Sequence, residues 1–232
     1  MEIFSTIVRF FQHGGVFMFP IAVILGFGLA VAIERWLYLG KIASKNRSVW
    51  RDVMPMLNSG DFNGVAAAAS KSDTAIGDML SYGLNRVRMS RSREDIERAM
   101  EEGLMEAIPS VEKRTHYLAT FANVATLLGL LGTIAGLIHA FGAVGDASAA
   151  EKAALLSSSI SEALNCTAFG LMVAIPMMLV HSLLQSRATE IVDSLEAASV
   201  KFLNAVTDRA APAARPEMAP RPAAPAASSV RA

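Results

Sequence analysis

The sequence predicts an all-α, polytopic membrane protein with three transmembrane helices and long helical extensions beyond the bilayer, and three observations carry that prediction. Of the 232 residues, 53% are hydrophobic, more than an ordinary soluble domain of this size holds. Three apolar stretches each have roughly the 20 residues that let a helix cross a hydrocarbon core of about 30 Å. Elsewhere the apolar residues recur at helical spacing, and no stretch alternates with the two-residue period of a strand.

The elements follow in order. Residues 1–14 contain EIFSTIVRFFQ, in which Ile3, Phe4, Ile7, Val8, Phe10 and Phe11 fall on roughly one side of a short helix. Such a helix suits the membrane interface, and a frayed start is the alternative. Residues 15–33 form the first span, closed by Glu34, Arg35 and the interfacial aromatics Trp36 and Tyr38. This run is too long for a secretory signal, and no small-residue cleavage site precedes Glu34, so it reads as a mature helix.

Residues 34–117 read as a helical loop with Asp61, Asp73 and Ser92 as candidate N-caps. Within it Ile96, Met100, Leu104 and Ile108 make the apolar side of a long amphipathic helix able to run directly into the second span. The charge run RVRMSRSRED is a solvated face or, alternatively, a docking or lipid-contacting surface. Residues 118–141 and 159–184 are the second and third spans, joined by a short loop over 142–158. A helix over 185–209 follows, and the Ala/Pro-rich residues 210–232 can neither bury a core nor hold a helix, which predicts a disordered tail.

Basic residues set the expected orientation. Residues 34 to 117 carry 13 Lys or Arg and the region after 184 carries 6, against Arg9 alone before the first span and Lys152 alone between the second and third. The positive-inside rule then places the N-terminus and short loop outside, and the large loop and C-terminus inside. Lys and Arg number 21 and so do Asp and Glu, so no global basic field exists to attract nucleic acid. The single cysteine, Cys166, has no thiol partner for a disulfide and reads as a small packing residue.

The candidate functional residues lie in the second and third spans. Thr126, Gly129, Thr133, Gly136 and Ala140 recur at steps of three and four and share one helix face. Gly132 and Gly136 add a GxxxG step that lets helices approach closely. In the third span Ser159, Ala163, Thr167, Gly170, Ala174 and His181 make a comparable stripe, with Glu162 and Cys166 beside it. Two such faces either line a narrow passage or only pack helices.

Thr133 and Thr167 are the candidates among the hydroxyls, although a lone threonine satisfies itself on a carbonyl one turn back. Glu162 is the only acid inside any span, where an ionised carboxylate needs water or a partner, unless the helix begins later and leaves it at a solvated mouth. Asn165 can share its hydrogen bonds. An ideal helix sets Glu162 and Thr167 about 140° apart, so they flank a common axis or face different neighbours. His139 and His181 fall near opposite membrane surfaces, as proton shuttles or as interfacial packing groups. No metal set, no activated nucleophile and no phosphate loop occurs, which argues against an enzyme and against a cofactor.

The runs YLATFANVATLLGLLGTIAGLIHAFGAVG at residues 117–145 and SISEALNCTAFGLMVAIP at residues 159–176 resemble the two signature spans of the ExbB/TolQ/MotA proton-channel family. With FMFPIAVILGFGLAVAIERWLYL, the similarity covers most of residues 16–209. The three-helix plan is similar to ExbB or TolQ. By that resemblance Thr133, Glu162 and Thr167 line a central pore. The resemblance further implies a homopentameric ring around a dimer of single-span ExbD- or TolR-like subunits, whose intramembrane aspartate carries the proton and whose motion energises a TonB- or TolA-like protein. The chain departs from the family pattern at Ala125 and Thr126, where a Ser-Pro pair is frequent, at Asn165, where an apolar residue is usual, and near His181 and Ser182, where the family often has Tyr-Asn.

Overall fold

The computed structural model describes residues 14–90, 92–144 and 148–210. The expected interfacial helix near the N-terminus and the Ala/Pro tail fall outside them. Six helices are described: α1 (Met18–Ser59), α2 (Phe62–Lys71), α3 (Ala75–Met89), α4 (Arg93–Glu112), α5 (His116–Val144) and α6 (Ala149–Ala210). At 1.5 Å per residue, the 62 residues of α6 extend about 93 Å, roughly three times a hydrocarbon core. Three helical regions are long and apolar enough to cross a membrane, one in α1, one in α5 and one in α6.

The two ends of this bundle are built differently. At the polar end α1, α2, α3, α4 and the second half of α6 enclose a core that includes Leu39, Val53, Leu57, Met79, Leu80, Ile96, Met100, Leu195 and Phe202. Each of these is almost entirely removed from water, which is the ordinary hydrophobic drive toward folding. At the apolar end the buried set is smaller and its side chains are on average smaller, with Ala122, Ala125, Cys166 and Ala174 beside Met18, Ile21, Phe169, Val173 and Met177. There Val23, Phe27, Ile33, Leu127, Ile138, Phe141, Ile175 and Leu179 are more than half exposed. Large apolar side chains exposed in this number belong against lipid or other protein.

Local chemistry sets the joints. Gly60, at φ 83°, closes α1 with its N–H on Leu57 O and the Asp61 N–H on Met56 O, the paired bonds of a Schellman motif. Asp61 caps α2 by accepting from the Gly64 N–H at 2.9 Å. Thr74 caps α3 through Gly77 N, in place of the expected Asp73. Ser92 occupies the N-cap position of α4, but its side chain makes no capping bond.

Two continuities differ from expectation. α4 does not run directly into the second span: Lys113 leaves the helical region, Arg114 adopts φ 69°, and α5 starts afresh at His116. A left-handed residue cannot propagate a right-handed helix. In the other direction, α6 begins at Ala149, so helix occupies part of the stretch read as the loop over 142–158. Glu151 sits in its first turn and accepts from the Ser148 N–H and hydroxyl, a favourable placement for a carboxylate at the positive end of a helix.

Candidate functional site

α5 and α6 make the most extensive helix–helix contact among the described residues, and their small residues decide how closely they approach. A Cβ added at Gly129 would lie 3.3 Å from Cys166 O, Gly170 Cα and Thr167 Cα. One at Gly170 would lie 2.8 Å from Ala125 O and 3.1 Å from Gly129 Cα. Gly136 faces Ala163, and Gly132 faces the Cys166 side chain and Phe17. The two small stripes therefore close on each other inside one chain and leave no passage between them. Cys166 is buried there, filling the space over Gly132.

That close approach brings Thr133 and Thr167 into direct hydroxyl contact. Thr167 Oγ1 lies 2.9 Å from Gly129 O, while Thr133 Oγ1 lies 3.3 Å from both Gly129 O and Ala163 O. Each hydroxyl has one proton to donate. A consistent assignment has Thr167 donating across the interface to Gly129 O and Thr133 donating to Thr167 Oγ1. Both threonines keep part of their surface exposed. Thr126, two turns from Thr133, bonds only within its own helix, to Ala122 O at 3.0 Å.

Glu162 lies elsewhere on α6. It is exposed and lines a cleft of about 340 Å³ with Ser159, Gly132, Gly136 and His139. The wall opposite is the turn before α1, where Gly15 adopts φ 74° and its backbone passes so near Glu162 Oε1 that a Cβ would collide with it. Glycine at this position satisfies both the left-handed backbone and the carboxylate. The sequence pairs neither His139 nor the Gly14–Gly15 turn with Glu162, because they come from three separate segments. Asn165 is half-buried and does not line this cleft.

His181 lies 19 residues beyond Glu162 on the same helix, about 28 Å away along the axis, which is close to the thickness of a hydrocarbon core. It is half-buried with Nδ1 unpartnered, and with Gln185, Thr189 and Asp193 it lines a polar stripe of α6. Gln185 stands 18 residues past Thr167, five full turns, and so shares its angular position. His139 and His181 thus mark opposite ends of the apolar part of the bundle, with the threonine pair between them.

The sequence model of the MotA/TolQ/ExbB proton channel family matches residues 71–197, more than half of the chain and all of α5 and most of α6. This chain belongs to the MotA/TolQ/ExbB proton channel family. An ExbB-like biopolymer transport protein of Synechocystis sp. is 32% identical over 185 residues, covering 79% of this chain and 72% of that protein. An ExbB homolog of Methanothermobacter thermautotrophicus is 29% identical over 204 residues, covering 84% of this chain and 69% of its own. The Tol-Pal system protein TolQ of Haemophilus influenzae is 39% identical over 94 residues, covering 40% and 41%. Family membership, together with three span-length helices, makes this a multi-pass membrane protein of proton-channel type.

Proposed function

We propose that the chain is the proton-channel-forming subunit of an inner-membrane motor that couples the proton motive force to a TonB-like protein energising outer-membrane transport. The supporting observation is the arrangement in the two matched helices: a hydroxyl pair, Thr133 and Thr167, inside their apolar stretches, and a carboxylate, Glu162, in an open cleft nearer one end. Neither apolar stretch of α5 nor α6 holds a carboxylate at its centre. A hydroxyl relays a proton but does not store one at neutral pH, so the carrier acid comes from a partner. A dimer of ExbD- or TolR-like single-span subunits supplies it in this reading.

Because the stripes of α5 and α6 close on each other within one chain, the conduit forms only when copies assemble. A homopentameric ring would set Glu162 and the exposed edge of the threonine pair around a shared axis, with the N-terminus periplasmic and the C-terminus cytoplasmic. The polar stripe through His181 and Gln185 continues that axis toward the cytoplasm. A TolQ-like role in envelope maintenance is the second reading, favoured by the 39% identity to TolQ over 94 residues.

The test is energy transduction by Glu162→Ala and Thr167→Val in a strain lacking the native protein, with assembly followed by co-purification of the partner. Both variants are expected to assemble and to abolish transduction. Wild-type growth on a TonB-dependent iron source would overturn the proposal for those residues, and a pure scaffold role would leave transduction intact in both.

A further inference from the structure

A second cleft, of about 480 Å³, opens where the polar end of the bundle meets its apolar end. Its lining comes from three segments: Glu34, Arg35 and Tyr38 of α1, Pro109 and Ser110 of α4, and Lys113 and Arg114 of the break before α5. Its level is fixed by sequence and contact. The apolar stretch of α1 ends at Ile33 and that of α5 begins after His116, while Arg187 of α6 stacks on Trp36 at 3.7 Å, with the aromatics typical of a bilayer boundary around it.

Arg35 makes this more than a surface patch. Its side chain is 4% exposed; Nε and Nη2 bond Glu34 at 2.8 and 3.0 Å, and Tyr38 stacks beneath the guanidinium. Nη1 is buried and has no hydrogen-bond partner. A buried guanidinium N–H without an acceptor is costly, and a ligand oxygen relieves it. Arg114 reaches the same cleft, 3.6 Å from Glu34, from a backbone at φ 69°. Non-glycine residues held in that region concentrate at ligand clamps. Arg35, Lys113 and Arg114 against Glu34 alone leave the cleft with an excess of two positive charges, all of them lining it.

We propose that this cleft binds the phosphate of an anionic phospholipid headgroup, with Arg35, Lys113 and Arg114 as its positive lining and a small turn of the Arg35 guanidinium bringing its unpartnered Nη1 to the ligand. A phosphate at this depth needs the planar, multiply donating guanidinium and loses little by being at the bilayer boundary. The lipid's acyl chains then run along the exposed apolar faces of α1 and α5, which begin at the same level. The site ties the break between α4 and α5 to the membrane, and it is independent of the proton conduit proposed above.

The experiment is native mass spectrometry of the full chain released from neutral-detergent micelles containing phosphatidylglycerol or phosphatidylcholine with identical acyl chains. Wild type is expected to retain one phosphatidylglycerol per chain in preference to phosphatidylcholine. Lys113→Gln with Arg114→Gln removes two exposed cations and should weaken retention by roughly tenfold or more. Glu34→Gln removes the competing carboxylate and should tighten it, a gain that misfolding cannot imitate. Displacement of the lipid by inorganic phosphate would identify the headgroup phosphate as the recognised group; no displacement, with lipid still selected, would add the acyl chains to the recognition. Equal retention of both lipids, or no change in both variants, would overturn the proposal.

Discussion

Gly170→Ala is the sharpest test of how α5 and α6 meet. The new methyl carbon would lie 2.8 Å from Ala125 O, 3.1 Å from Gly129 Cα and 3.4 Å from Gly129 N. All three are backbone atoms of a packed helix, so no side chain can rotate away and α5 itself must shift. Overpacking of this kind costs about 1–3 kcal/mol. Against it, alanine improves helix propensity over glycine by about 0.5–1 kcal/mol. The two ranges combine to a net loss between about 0 and 2.5 kcal/mol, centred near 1. Gly40→Ala is the matched comparison, since a Cβ there meets nothing within 4 Å, and it should show the propensity gain alone. Equilibrium unfolding in mixed micelles, followed by helical circular dichroism, measures both. The displacement should also part the Thr133 and Thr167 hydroxyls and lower energy transduction. A Gly170→Ala protein as stable as Gly40→Ala would refute the close-approach argument.

Two further outcomes follow from single interactions. A double-mutant cycle of Thr133→Val and Thr167→Val should give a favourable coupling near 0.6 kcal/mol and at most about 1.7, the range of interhelical hydrogen bonds in membranes; strictly additive losses would mean that the two hydroxyls do not pair. At the polar end, partial loss of water around the Asp78 carboxyl, which stays in part exposed, raises it above its ordinary value, and the negative charges of Asp73 and Glu106 push it further. The folded state then binds this proton more tightly than the unfolded state, so its contribution to stability falls as pH rises from 3.8, the ordinary value, through the raised one. Asp78→Asn should therefore stabilise the protein at neutral pH, by a margin that shrinks toward acid; a margin constant with pH would contradict the assignment.

Much of the fold is legible in the sequence because its signals are local. Each span announces itself by a run of apolar residues, and the helix over Arg93–Glu112 by the spacing of Ile96, Met100 and Leu104. The Asp61 cap is legible for the same reason. The break at Arg114 is not, since neither glycine nor proline marks it, and a left-handed arginine is held by surroundings gathered from α1 and α4. Thr74 displaces Asp73 as the cap by one residue, within the uncertainty of any helix boundary.

At the site, the stripe spacing on each helix places Thr133 and Thr167 on small faces, and a sequence gives the face but not what it touches. Their mutual contact comes from the registration of α5 against α6, fixed by Gly129 and Gly170. The separation of Glu162 from Thr167 follows from helix geometry alone, whereas the Gly15 backbone and His139 around Glu162 are brought there only by the tertiary fold. Arg35 reads in the sequence as a membrane-exit residue. Its burial with one unpartnered nitrogen depends on Tyr38, Glu34 and the α4–α5 break packing around it.

Proton flux into vesicles is the measurement closest to the central claim. Vesicles reconstituted with this chain alone should pass few protons, and those holding its single-span partner as well should pass many more, with the gain lost in Glu162→Ala and Thr167→Val. Equal flux with and without the partner, or a partner-dependent flux that survives both substitutions, would contradict the account.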